Sequence, residues 1–482
     1  MTVLRLKKYA PFALAFLLGA GCSVGPDYQP PAPVMPAAWL EGESHGSGPQ
    51  PAELARWWTE FNDPLLNSLA ERAVKANLDL LIAQARIREA RAAQKVAETG
   101  AWPMLDLSGE YSHNRTSENA VGLPSQGAVA APREGADLEQ DFYRTSFDAS
   151  WEIDVFGGTR RRIEAARATA DAAVEDGRAV LITLLGEVAK NYIDLRGFQR
   201  RLGVAQENLR AQRETARLTK IRFDAGLASD LEVAQAQGQA SLTAAEIPTL
   251  ESALKQTVYR LDLLLGAQPG RLWDELAPEA PVPALPPAAH VGLPVELLRR
   301  RPDIRRAERQ LAAANAQVGA ATADLYPRFF LTGAYGLQSI SADDWFSGGS
   351  RFWSIGPMIT WPVFDAGKIR ANIEIRSAQQ EQALRLYERS VLSALQDVES
   401  ALVSYAKEQT RYRALLEAAS ANRRAVAHAN ELYQQGLVAF LNVLDAERTL
   451  YSSESELALS EANMASNLVA LYKALGGGWN FN

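Results

Sequence analysis

The 482-residue chain contains a single cysteine, Cys22, so no disulfide can form within it. Its four histidines, His45, His113, His290 and His428, are scattered with no pair at ligand spacing. Its five methionines form no cluster. A zinc site of His and Cys is therefore not expected, and nothing supports soft-metal ligation. No phosphate-cradling glycine loop and no nucleophile–base signature is present, which argues against an enzyme. No run of Lys or Arg longer than three residues occurs, and the net charge is −7, a poor balance for nucleic-acid binding. After residue 22 no stretch reads as a transmembrane helix, which needs ~20 apolar residues, so any crossing of a membrane must use strands. What remains is a foldable composition, 47% hydrophobic and 22% charged, long enough for several domains or one elongated body.

The amino terminus reads as an export signal. Arg5, Lys7 and Lys8 form a basic start, Pro11 to Leu18 a short apolar core, and Gly19, Ala20 and Gly21 a small-residue approach to Cys22. Loss of residues 1–21 takes the net charge from −7 to −10. The pattern resembles a bacterial lipoprotein signal, in which the cysteine is acylated after cleavage. Ser23, with no Asp after the cysteine, favours the outer membrane by the same analogy. A covalent lipid on Cys22 is then expected, and no other cofactor.

The chain is a duplication. Phe223-Asp-Ala-Gly226-Leu227-Ala-Ser-Asp-Leu231-Glu-Val233 recurs as Tyr433-Gln-Gln-Gly436-Leu437-Val-Ala-Phe-Leu441-Asn-Val443, 210 residues on. Trp151 and Trp361, and Leu265-Gly266 and Leu475-Gly476, keep that offset. Earlier, Pro103, Gly109 and Tyr111 match Pro327, Gly333 and Tyr335 at an offset of 224. The first half thus carries about 14 extra residues before Trp151, in the Gly-, Ala- and Pro-rich segment Thr116 to Asp141, which reads as a long loop. The expected organisation is signal peptide 1–21, an irregular anchored segment 22–55, a first repeat 56–266, a Pro-rich connector 267–302 and a second repeat 303–482. Each repeat holds a helix, two strands, a long helix and a returning helix.

Positions 181, 188, 195, 202, 209, 216 and 223 are all apolar, and so are the positions 210 residues later. A sustained seven-residue repeat marks a coiled coil. No proline interrupts Thr159 to Ala225 or Lys368 to Gln435, which predicts helices about 100 Å long. Gly226 and Gly436 end them at hairpin tips. Returning helices are predicted from Leu231 to Leu265, kinked at Pro248, and from Leu441 to Leu475. A further pair is predicted from Pro64 to Thr99 and from Pro302 to Ala323. The connector, with eight prolines, is expected to be extended.

Four segments alternate with period two: Leu105 to Tyr111, Phe147 to Val155, Phe329 to Leu337 and Trp353 to Val363. Such alternation suits a membrane barrel strand, with Asp106, Glu110, Asp148, Glu152 and Asp154 facing a wet lumen. Four strands cannot close a barrel, since membrane barrels start at about eight, and an open edge in lipid would leave backbone groups unpaired. The sheet is either soluble or completed by several chains, and three chains would supply twelve strands.

Taken together, Cys22-Ser-Val-Gly-Pro-Asp-Tyr-Gln-Pro, the Trp57-Trp58…Phe61-Asn-Asp-Pro64-Leu65 segment and the duplicated Gly-Leu tips resemble the TolC-like outer-membrane factor family. Within it they resemble the lipoprotein branch that serves resistance–nodulation–division (RND) efflux pumps. The resemblance covers nearly all of the mature chain. It implies an internally duplicated α+β membrane protein that forms a homotrimer, with a twelve-strand transmembrane β-barrel (four strands per chain) continued by a periplasmic α-helical barrel. It also implies docking on a periplasmic adaptor (membrane fusion) protein and an inner-membrane RND pump, with no nucleic-acid partner. By the same resemblance, Gly226, Leu227 and Ser229 with Gly436 and Leu437 contact the adaptor. Glu232 and Tyr433 hold a closed gate, and Asn442 and Asp445 occupy the positions of two pore-entrance acids, of which one is lost here. The function so implied is a passive exit duct for small toxic compounds or drugs. The alternatives are a lipid-tethered periplasmic coiled-coil scaffold, or a duct for type I protein secretion.

Overall fold

The computed structural model describes residues 23–40, 54–115, 117, 139–286 and 293–479. Most of the described chain is helical, and its strands form one sheet. In order, the elements are α1 (Pro64–Ala76), α2 (Leu78–Thr99), β1 (Met104–Arg115), β2 (Glu139–Ile153), α3 (Gly158–Asp224), α4 (Asp230–Leu264), the short α5 (Trp273–Leu276) and α6 (Leu297–Arg300), α7 (Pro302–Ala323), β3 (Arg328–Ser339), β4 (Arg351–Thr360), α8 (Lys368–Gln434) and α9 (Phe440–Ala474). Single 3₁₀ turns lie at Trp57–Phe61, Pro294–Glu296 and Gly348–Ser350.

Helices α3 and α8 are 67 residues each, which at 1.5 Å per residue makes each about 100 Å long. None of the seven heptad positions in either helix is exposed. The apolar seam therefore packs along the whole repeat, as a coiled coil requires. Helix α4 continues through Pro248 without a break.

Two predictions from pattern alone differ from the structure. The helix expected from Pro64 to Thr99 is broken at Asn77, which is buried and extended (φ −64°, ψ 128°). Its Oδ1 accepts from Leu80 N (3.0 Å) and its Nδ2 donates to Leu264 O (2.9 Å). The side chain thus caps α2 and ties the joint to the end of α4, offsetting the backbone bonds the break removes. The connector is also not extended throughout. Buried Asp262, near the end of α4, accepts from Gly270 N (2.6 Å) and Leu272 N (2.9 Å). That curls the chain into α5, whose neighbourhood buries Leu272 and Leu276.

The chain divides into two compact units, each built from segments of both repeats. One comprises residues 1–30, 89–170 and 309–384 and contains the sheet. Its strands run in chain order β1-β2-β3-β4, all antiparallel, with β2 and β3 joining the two repeats. Cys22 lies outside the described residues, but Ser23 to Asp27 are held in this unit. Val24 N donates to Phe156 O (3.1 Å), Arg161 donates to Asp27 Oδ1 (2.6 Å), and Asn315 Nδ2 donates to Pro26 O (3.0 Å).

The other unit comprises residues 31–88, 171–308 and 385–482 and holds the largest core. Leu184, Leu185, Val188, Tyr192 and Leu195 of α3 meet Val391, Val398 and Tyr405 of α8 and Leu468 and Tyr472 of α9 there. Trp57, almost fully buried, stacks on Tyr472 (5.5 Å between centroids), and Tyr472 donates to Glu60. The Trp57–Phe61 segment is thereby locked onto α9.

Candidate functional site

Two surfaces stand out: the paired hairpin tips, and the apolar face of the sheet.

Both tips end a long helix in the same way. Gly226 N donates to Phe223 O (2.8 Å) and Leu227 N to Arg222 O (2.7 Å), while Gly436 N donates to Tyr433 O (3.0 Å) and Leu437 N to Leu432 O (2.9 Å). This 5→2, 6→1 pair satisfies carbonyls left over at the helix end and requires a left-handed residue. Gly226 and Gly436 supply it, at φ +74° and +76°. A Cβ at either would meet nothing within 4 Å, so backbone conformation alone selects glycine here.

The returning helices start differently. Ser229 N-caps α4 in a reciprocal capping box. Its hydroxyl accepts from Glu232 N (3.3 Å), and Glu232 Oε2 accepts from Ser229 N (2.8 Å). At the second tip Ala439 makes no side-chain cap. There Phe440, almost fully buried, packs with Tyr433, Val443, Leu444 and Ala236. Leu227, Leu231, Leu437 and Leu441 all point outward, each more than 60% exposed.

The predicted gate residues sit in unlike surroundings. The carboxylate of Glu232 is engaged in the capping box. The ring of Tyr433 lies 5.4 Å from Phe440, with the Arg222 guanidinium 4.7 Å from its centroid. Its hydroxyl is buried with no hydrogen-bond partner. Burial, then the negative charge of Glu232, pushes the phenol pKa up, against the opposing influence of Arg222 and Thr219. Asn442 and Asp445 are exposed near the start of α9, and the Asp445 carbonyl accepts from Thr449 Oγ1 (2.8 Å).

Just beyond lies a polar seam that the apolar heptad reading passed over. Asn208, Gln212, Thr215, Thr219 and Arg222 follow one another along α3 at alternating spacings of four and three, a second helical stripe. Thr215 Oγ1 donates to Glu447 Oε1 (2.7 Å), and Asn208 Nδ2 to Glu454 Oε2 (3.0 Å). Gln212 is buried with neither amide atom bonded. Burial holds the Glu447 carboxyl above the ordinary glutamate value, and the Thr215 hydroxyl only partly offsets this. The spacing was legible in sequence, but the burial was not.

The sheet separates its two faces by register. Leu107, Phe147, Tyr335 and Trp353 stand opposite one another in one row across all four strands, and each is at least half exposed. Leu105, Trp151, Leu331, Ile355 and Ile359 lie on the same face. The opposite face carries Asp106 opposite Asp148, Ser108 opposite Ser146, and Glu110 opposite Arg144. Ser108 Oγ donates to Asp148 Oδ2 (2.6 Å), and Arg144 pairs with Asp148 (3.3 Å). One face is suited to hydrocarbon and the other to water.

A chain with paired coiled-coil hairpins and a sheet apolar on one face has the makings of a membrane duct, and the comparisons agree. The family model "Outer membrane efflux protein" matches residues 69–267 and 293–477, and the chain belongs to that family. It is an outer-membrane efflux protein, of a family of ducts and not of enzymes. It is 33% identical over 477 residues to nodulation protein T of Rhizobium leguminosarum bv. trifolii, spanning 99% of this chain and 98% of that protein. It is 34% identical over 483 residues to the solvent efflux pump outer membrane protein SrpC of Pseudomonas putida, 99% of each. Among solved structures, the outer-membrane channel OprN superposes with a TM-score of 0.87 at 36% identity, over 95% of this chain and all of that one. The open state of the Neisseria gonorrhoeae MtrE outer membrane channel gives 0.80 at 28%, over 96% and 99%.

Proposed function

We propose that the chain is one third of a trimeric exit duct, the outer-membrane component of a tripartite efflux system for small toxic compounds. The observation that carries this reading is the row Leu107–Phe147–Tyr335–Trp353, apolar and exposed across the whole sheet. Such a face is costly in water and suited to lipid. Strands β1 and β4 are both edges. With four antiparallel strands β1 and β4 run in opposite directions, so β4 of one copy can pair antiparallel with β1 of the next. Three copies joined head to tail close twelve strands and leave no edge.

The remaining assignments follow from this assembly. A lipid on Cys22 anchors the chain in the outer membrane, and the helices continue the duct into the periplasm. The exposed leucines flanking Gly226 and Gly436, with Ser229, meet the helical hairpin of a periplasmic adaptor, which links the duct to an inner-membrane RND pump. Asp445 recurs threefold as a ring that attracts cations, while Asn442 adds no charge to it. Tyr433 and Glu232 belong to the gate that closes the entrance. The duct is passive and catalyses no reaction.

Single-channel conductance of the purified, cross-link-verified oligomer in planar bilayers tests this. A small cation-selective conductance that changes in Asp445→Ala or Tyr433→Ala is expected. Conductance unaltered by both substitutions removes the gate assignment, and a folded oligomer without conductance removes the duct.

A further inference from the structure

Residues 340–350, which join β3 to β4, form a compact turn at the end of the sheet away from the helices. Ser347 N donates to Asp344 O (3.0 Å), and Ser350 Oγ donates to the same carbonyl (2.5 Å). The turn folds back over the apolar face. Trp345 lies against Tyr143 (5.4 Å between centroids), and Tyr143 against Tyr111 (5.0 Å). A cavity of about 330 Å³ remains between turn and strands. Leu107, Phe147, Tyr335 and Leu337 line it from the strands, and Phe346 and Arg351 from the turn and the start of β4. Phe346 is nearly three-quarters exposed.

Each strand carries one arginine, and three of the four are compensated. Arg115 pairs with Glu139 (3.3 Å), Arg144 with Asp148 (3.3 Å), and Arg328 with Glu152. Within one chain the Arg351 guanidinium has neither a hydrogen-bond nor an ion-pair partner among the described residues, although Asp343 and Asp344 stand in the same turn. It lies on the face of Trp353 and Ile355, two and four residues along the strand. An uncompensated guanidinium beside an apolar cavity, on a face that turns to lipid, is complementary to an amphiphile with an acyl chain and a phosphate. Its planar fork matches phosphate in two hydrogen bonds.

We propose that this cavity binds a phosphorylated, acylated glycolipid of the outer leaflet. The acyl chain lies on Leu107, Phe147, Tyr335 and Leu337 beneath Phe346, and the phosphate sits on Arg351. This rests on the membrane-facing reading of the apolar row.

The test is native mass spectrometry of the full-length oligomer, its folding checked by heat-modifiable migration. The probes are a bis-phosphorylated hexa-acyl glucosamine disaccharide, its dephosphorylated form, and inorganic phosphate. The wild-type oligomer should retain the phosphorylated lipid at one per chain. Arg351→Gln should weaken retention about tenfold, the size expected for a hydrogen-bonded charge. Phe346→Ala should weaken both lipid forms. Equal retention by wild type and Arg351→Gln, equal binding of the dephosphorylated lipid, or displacement of the lipid by free phosphate each overturns the proposal. Quenching by acyl-brominated lipids, compared in wild type and Trp353→Phe, separates the two levels. A quenched Trp353 without phosphate selectivity sinks only the lipid site, and an unquenched one sinks the membrane-facing reading with it.

Discussion

The two tips are copies of one motif, 210 residues apart, yet they are held by different chemistry. The first is closed by polar groups, the Ser229–Glu232 capping box, with Val233 and Ala236 buried just inside the helix. The second has no side-chain cap and is closed by Phe440 inserted against Tyr433, Val443 and Leu444. Position for position, Ser229, Asp230 and Glu232 have become Ala439, Phe440 and Asn442. A cap is local and survives movement of the hairpin as a unit, whereas a buried ring ties its helix to its neighbours. On this contrast the first returning helix starts on its own hydrogen bonds and the second on burial, while Arg222 of the first tip still reaches the second, its guanidinium over the Tyr433 ring (4.7 Å) and donating to Gln434 O (3.4 Å).

The second tip depends most on Phe440. Phe440→Ala should lower local stability by about 3–5 kcal/mol, as for other fully buried phenylalanines. Hydrogen exchange should then show loss of protection over α9's first turns, with a smaller loss around Ala236 and little change in the Ser229–Glu232 cap. Next in size, Ser229→Ala should cost about 1 kcal/mol, confined to the start of α4. If its effect spreads to the start of α9, the contrast fails. Ala439 already has the extended backbone of an N-cap (φ −72°, ψ 151°). Ala439→Ser should therefore protect the α9 start by up to about 1 kcal/mol, and no gain would mean that Phe440 alone sets that helix end.

The smallest expected effect concerns Glu447. Its folded-state pKa lies above the ordinary 4.5, chiefly through burial. The folded chain therefore holds this proton more tightly than the unfolded chain. The contribution is complete below about the unfolded value and is lost as pH rises through the raised folded value. Protection of the seam should increase as pH falls toward 4.5, and Glu447→Gln should flatten that slope. An unchanged slope would assign it to another acid, such as half-buried Glu461, whose pKa is also raised chiefly by burial.

Much of this protein was legible as pattern. The heptads of α3 and α8, the glycine-terminated tips, the start of α7 at Pro302 and the alternation in the strands are all local. They depend on side-chain period and on φ, which a chain carries wherever it folds. The duplication made each reading a check on the other. The resemblance named the gate positions, but it could not say that the Glu232 carboxylate would be engaged by its own helix, or that the Tyr433 hydroxyl would be left without a partner.

Where distant segments meet, sequence pattern is silent and packing decides. Asn77 breaks a strongly helical stretch because a carbonyl 187 residues away accepts its amide. Thr215 looks like any polar residue on a helix until Glu447, from the other repeat, is buried against it. The pairing of β2 with β3 lines up the apolar row, and Arg351 stands out only once the other three arginines are seen to have partners. Periodicity is written along a chain, but compensation of a charge or a buried amide depends on what another segment brings to it. That is a property of the packed chain and not of any one stretch.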